Sequence, residues 1–193
     1  TSTDERFRPV QAADGPDGAL YVVDMYRGII QHAGFLTLYL IANIEARKLA
    51  QPLDGGRIWR VVPANAPKRA AVKLPADAPG RAALLNHASG WVRDTAQRLL
   101  AETPADQAPA AASVFWQVWS DGKATPLGRL HALWTLDALS AATPEVLRAG
   151  FQDPSPQIRA AAVRLAGRDL APDLIALTGE TDVLVQAHLA IKL

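Results

Sequence analysis

The chain contains no cysteine in its 193 residues. Within this stretch that excludes a disulfide framework, a thiolate metal site, a cysteine nucleophile and a Cys-x-x-Cys-His haem attachment. It leaves the compartment open. Charge of one sign is also missing: 20 basic residues face 19 acidic ones, for a net +1. Neither nucleic acid nor an anionic membrane surface therefore has an electrostatic claim as partner. Long apolar runs are absent too. The longest, Phe35 to Ile44, reaches about half a bilayer crossing, and Glu45, Arg47 and Lys48 follow it. It predicts one buried or half-buried helix, not a membrane span. The chain opens Thr1-Ser2-Thr3-Asp4 with neither initiator methionine nor signal peptide, and closes inside an amphipathic pattern at Leu193. It reads as a piece of a longer protein.

What is present is core material: 49% hydrophobic against 20% charged residues, a balance that favours packing over disorder. Strand signals occupy residues 7–62. Asp14-Gly15-Pro16-Asp17-Gly18 is turn chemistry, with Pro presetting φ and Gly admitting φ > 0. Ala19-Leu20-Tyr21-Val22-Val23 follows as a β-branched and aromatic run, and Gly28-Ile29-Ile30-Gln31-His32 reads as its partner. A helix is predicted over about 35–49. After the Asp54-Gly55-Gly56 turn, Arg57-Ile58-Trp59-Arg60-Val61-Val62 alternates as a strand with one face partly wet. A lone sheet of this size is marginal, so these strands predict one antiparallel blade of a β-propeller with an inserted helix. Pro, Ala and charge then dominate residues 63–78, the mark of a boundary.

From about 79 the period becomes helical and repeats. Trp91 to Leu100 aligns with Gln157 to Ala166, and weaker copies begin at Gly128 and Leu184. The anchors Arg93, Arg129, Arg159 and Gln186 are separated by 36, 30 and 27 residues, about the length of a two-helix repeat. Small residues Ala96, Ala132 and Ala162 would let paired helices approach closely, giving an α-solenoid. Arg93, Arg159 and Arg164 are read as an internal Arg–Asp ladder. His87, His131 and His188 are read as inter-repeat hydrogen-bonding or partly exposed groups, with no metal site. Trp91, Trp116, Trp119 and Trp134 are read as packing residues; alternatively, Phe115 to Trp119 marks a partner surface. The predicted architecture is an α+β multi-domain fragment: a C-terminal propeller blade over 1–66, a linker over 67–78, and a HEAT-like α-solenoid over 79–193.

Asp153-Pro154-Ser155-Pro156 with Gln157-Ile158-Arg159-Ala160 resembles the HEAT repeat signature. Phe7 to Val10, Gly15 to Asp24, Met25 to His32 and Gly56 to Val61 together resemble the last propeller blade of large exported bacterial dehydrogenases related to glucose/sorbosone dehydrogenases. In that family HEAT repeats, and often a c-type cytochrome domain, follow the propeller. The resemblance implies a periplasmic or exported quinone-type oxidoreductase acting on a sugar or alcohol. It further implies pyrroloquinoline quinone and Ca²⁺ in the full-length protein, with c-type haem only on a downstream domain. A single blade would hold none of these and would be inactive alone.

Under that reading Arg27 and His32 are catalytic candidates. The Arg is suited to an anionic quinone and the His to a hydroxyl proton. Arg27, Tyr26 and Asp24 are cofactor-binding candidates, and Asp17 with Asp24 forms a possible carboxylate pair. Each has a structural alternative: turn and strand-end aspartates satisfied by backbone N–H groups, Arg27 paired with a carboxylate, His32 capping the inserted helix. The rival functional reading is a non-catalytic scaffold that binds a protein partner, on the HEAT surface among others, or a polysaccharide.

Overall fold

The computed structural model describes residues 2–65, 70–104, 112, 113, 119 and 122–193. It divides into two compact units, Thr1–Val72 and Lys73–Leu193.

In the first unit, β1 (Pro9–Asp14), β2 (Leu20–Asp24) and β3 (Arg57–Val61) form one antiparallel sheet in the order β1-β2-β3. The β1–β2 turn closes with Gly15 N–H donating to the Ala19 carbonyl at 2.9 Å and Gly18 N–H to the Gly15 carbonyl at 3.0 Å. Gly18 takes φ 72°, which a side chain would resist. Asp17 locks the turn: its carboxylate accepts from Ala19 N–H at 3.1 Å and from Arg60 Nε at 2.7 Å. The amide of Ala19 first, then Arg60, hold its pKa below the usual carboxylate value. Asp17 thus has the turn role, not that of an acid–base pair with Asp24.

β2 and β3 are joined by a long connection that carries a 3₁₀ turn (Ala33–Phe35) and α1 (Leu38–Ala46). Thr37 Oγ1 caps α1 by accepting from Leu40 N–H at 3.3 Å. At the other end, Arg6 donates to the Lys48 carbonyl at 2.9 Å and to Gln51 at 3.0 Å.

This is not a propeller blade. The sheet has three strands, and among the described residues eight α-helices accompany it. The blade-plus-solenoid architecture predicted from the sequence is corrected to a three-stranded antiparallel sheet and a helical part. The predicted strand at Gly28–His32 does not form. Tyr26 turns to φ 49° directly after β2, and Gly28 is buried so tightly that an added Cβ would lie 2.5 Å from the Leu49 carbonyl oxygen. Helix α1 is half-buried at most: Leu40, Asn43 and Ile44 are partly covered, none of its residues is buried, and Leu38 is 86% exposed. One further expectation fails. Strand β3 is wet on both faces, with Ile58 67% and Trp59 43% exposed.

The second unit is helical: α2 (Ala78–Leu84), α3 (Gly90–Ala101), α4 (Pro126–Ala138), α5 (Pro144–Phe151), α6 (Pro156–Leu165), α7 (Ala171–Ala176) and α8 (Val183–Lys192). Helix α2 packs on α3, α3 on α4, α4 on α6, and α6 on both α5 and α8. Pro opens α4, α5 and α6, where its missing N–H is no loss. Ala96, Ala132 and Ala162 are fully buried among Leu85, Leu100, Leu133, Ile158 and Val163. The backbones of α5 and α6 come close enough that a Cβ on Gly150 would sit 2.7 Å from that of Ala162.

The four aligned anchors all occupy the fourth position of a helix. There they repeat one hydrogen bond, back to the loop before that helix. Arg93 donates to the His87 carbonyl (2.7 Å), Arg129 to Ala124 (2.8 Å), Arg159 to Asp153 (2.9 Å) and Gln186 to Glu180 (2.7 Å). Two of them also grip the next hairpin: Arg129 forks onto Asp153 at 2.8 and 3.0 Å, and Arg159 onto Glu180 at 2.7 and 3.1 Å. The ladder therefore runs through Arg129 and Arg159. Arg164 lies outside it, over the Trp134 ring at 5.4 Å. Upstream, Asn86 Oδ1 accepts from both the amide and the hydroxyl of Thr125, the N-cap of α4, at 2.8 and 2.6 Å. His131 joins α3 to α4 through Gln97 at 2.7 Å. His87 Nδ1 accepts from Ser89 N–H at 3.0 Å within its own loop. Trp119 is buried. The remainder of the expected partner stretch, Phe115 to Val118, lies outside the described residues, as do residues 66–69 at the start of the expected linker.

The Arg159 hydrogen bond, aided by the amides of Asp182 and Thr181, lowers the Glu180 pKa from 4.5 to about 2. A carboxyl depressed on folding contributes stability that is present above its unfolded pKa and lost as pH falls through the folded one. In thermal unfolding of the helical unit, followed by far-ultraviolet circular dichroism, the Glu180 contribution should therefore be complete above about pH 5 and be lost between 4.5 and about 2. Glu180→Gln should lower the midpoint at neutral pH and flatten that decline.

Candidate functional site

The densest cluster of chemically able side chains forms where β2 ends. The Asp24 side chain is fully buried, and protein donors occupy both its oxygens. Oδ1 accepts from the amides of Arg8 at 2.8 Å and Tyr26 at 2.9 Å; Oδ2 accepts from the Trp59 indole N–H at 2.9 Å. The Arg57 guanidinium stands 3.8 Å away. Burial pushes the Asp24 pKa up, but the Trp59 bond, the two amides and the Arg57 charge outweigh it, so the group stays ionised below the ordinary carboxylate value. The strand register explains the convergence: Asp24 lies opposite Arg57, and Val22 opposite Trp59, on one face of the β2–β3 pair.

Tyr26 is held by the same carboxylate through its amide. The Arg57 guanidinium carbon lies 3.5 Å above the centre of its ring and 5.2 Å from that of Trp59, a cation between two aromatic faces. Gly55 packs against the Tyr26 ring so closely that a Cβ there would collide with Cδ1. A left-handed φ in a non-glycine residue costs about 1 kcal/mol or more, and these contacts hold it.

Directly after this kink, Arg27 reaches a shallow groove of about 470 Å³ lined by Val10, Met25, Leu53, Arg57 and Ile58. Among the described residues its guanidinium has no hydrogen-bond or ion-pair partner. His32 does not line the groove. It is exposed, accepts the Gly34 N–H on Nδ1 at 3.1 Å, and meets the Phe35 ring edge-on at 5.9 Å. The structure thus unites Asp24 and Tyr26 in a load-carrying cluster, sets Arg27 at its open side, and leaves His32 as a helix cap. Sequence reasoning missed Arg57 and Trp59 as members. The available signal was their alternation in β3, in phase with an acidic residue at the end of β2.

Residues 1–65 match a family model described as a domain of unknown function (DUF7133). The match takes in the sheet and α1 and none of the helical unit. No curated protein and no solved structure matches the chain. Among the described residues no helix is long and apolar enough to cross a membrane, and no group of three or more His, Asp or Glu could hold a metal ion.

Asp24→Ala should strand three part-buried N–H donors and leave Arg57 without its counter-charge, a loss of about 2 kcal/mol from the first unit. Hydrogen exchange at the amides of Arg8 and Tyr26 reads it directly. Both should exchange much faster in the variant, and unchanged rates would remove Asp24 from this role.

Proposed function

We propose that this chain is a non-catalytic interaction module whose first unit presents an apolar surface to a protein partner. One observation carries the reading. In the first unit Ala19 is the only buried hydrophobic residue among those described, while Val10, Phe35, Leu38, Ile58, Trp59 and Val61 stand 43–86% exposed. Apolar surface at this density, on a sheet too small to be stable alone, marks a binding face. The second unit has a full hydrophobic core of its own and serves as a well-packed carrier.

Quinone-dependent oxidation of a sugar or alcohol is the second reading, supported by the unpaired Arg27, a suitable contact for an anionic cofactor. The remaining candidates do not fit a quinone or Ca²⁺ site. Asp24 is saturated by protein donors, Tyr26 lies under Arg57, and His32 is a cap. Dye-linked turnover of the full-length protein, with and without pyrroloquinoline quinone and Ca²⁺, tests this reading. Quinone-dependent activity lost in Arg27→Ala would displace the first reading.

The interaction reading is tested by cross-linking the full-length protein to its partners and comparing Ile58→Glu and Val10→Glu, both exposed on the groove, with wild type. Both variants should lose the cross-linked complex while the helical circular dichroism is retained. A complex that survives both, or none with wild type, rejects the reading.

A further inference from the structure

Every arginine described in the first unit has a partner except one. Arg6 holds the carbonyls that end α1, Arg8 those of Phe7 and Gly28, and Arg47 pairs with Glu5 at 2.7 Å. Arg57 is clasped by Asp24 and two rings, and Arg60 by Asp17. Arg27 alone is uncommitted among the described residues, and the backbone is bent at Tyr26 immediately before it. Backbone strain held by a fully satisfied cluster is a sign that the residue it aims is used. The charge balance of the groove points the same way. Asp24 is its one acidic lining residue, is buried, and is offset by Arg57, so Arg27 is the uncompensated charge of the lining. Around that charge, Val10 is 58%, Leu53 58%, Ile58 67% and Met25 39% exposed.

We propose that this groove docks an extended acidic segment of the partner protein, one that places a carboxylate on Arg27 and apolar side chains against Val10, Leu53 and Ile58. The inference rests on the interaction reading above and names the partner's chemistry. An Arg–carboxylate contact is charge-assisted and can be bidentate, which fixes register as well as affinity. The groove is shallow and open, whereas a small-molecule site encloses most of its ligand; an extended chain suits it better. Arg27 makes no described hydrogen bond or ion pair within the fold, so Arg27→Gln breaks none.

The test uses the full chain and three probes: a fluorescein-labelled short peptide of alternating valine and glutamate, its valine–glutamine counterpart, and hexanoate as competitor. The acidic peptide should bind, weaken with added salt, and lose roughly tenfold or more in affinity against Arg27→Gln, with partial retention in Arg27→Lys. The glutamine peptide should bind wild type no better than the acidic peptide binds Arg27→Gln. Equal binding of the two peptides, no effect of Arg27→Gln, or displacement by equimolar hexanoate would overturn the proposal. If Arg27→Gln keeps the cross-linked complex that Ile58→Glu loses, the docking inference fails and the interaction reading stands. If wild type forms no complex, the reading itself has failed.

Discussion

One buried carboxylate organises the N-terminal half of this molecule. Asp24 receives the amide that leads into β1, the amide that ends β2 and the indole that projects from β3. A negative charge held away from water is tolerated only when its lone pairs are filled and a cation stands near. Here three N–H donors occupy both oxygens and the Arg57 guanidinium stands 3.8 Å away. The sheet has almost no apolar interior, so this polar junction performs the task that a hydrophobic core performs elsewhere. The kink at Tyr26, the stacking of Arg57 and the direction of Arg27 all follow from it.

The helical half is built on the opposite principle. Leu100, Leu133, Ile158 and Val163 lie in a continuous core without solvent contact, and apolar burial is the main favourable term. Polar groups there specify geometry. A fourth-position arginine or glutamine ties each of α3, α4, α6 and α8 to its own leading loop, and in two cases a carboxylate ties one hairpin to the next.

Features written in local chemistry could be read from the sequence. The Asp14–Gly18 turn, β2 and β3 rest on turn residues and short periods, and each forms; the four aligned anchors likewise fall at one position of their helices. The propeller blade rested on an inference from a set of strands to an architecture, and it failed at one place. Gly28–His32 has strand composition, but the bend at Tyr26 and the contact of Gly28 with Leu49 override it. Helix α1 is apolar, yet only Leu40, Asn43 and Ile44 are partly covered and none of its residues is buried. Arg164 is read from the sequence as a ladder member, but it lies over the Trp134 ring; both ladder residues, Arg129 and Arg159, sit at position four of a helix. In the site, the residue types at Asp24 and Tyr26 were visible, but their roles were not. Those roles depend on Arg57 and Trp59, more than thirty residues away, arriving through β-pairing that no local pattern encodes.

The carboxylates gripped from the preceding hairpin, Asp153 and Glu180, lie in the loops that lead into α6 and α8. Loops are ordinarily where a protein absorbs inserted or deleted residues. Here an added residue beside either carboxylate would pull it out of reach of its arginine and release two neighbouring hairpins at once. Asp153 and Glu180 thus fix the length of the two loops they sit in, because each holds its arginine through both of its oxygens.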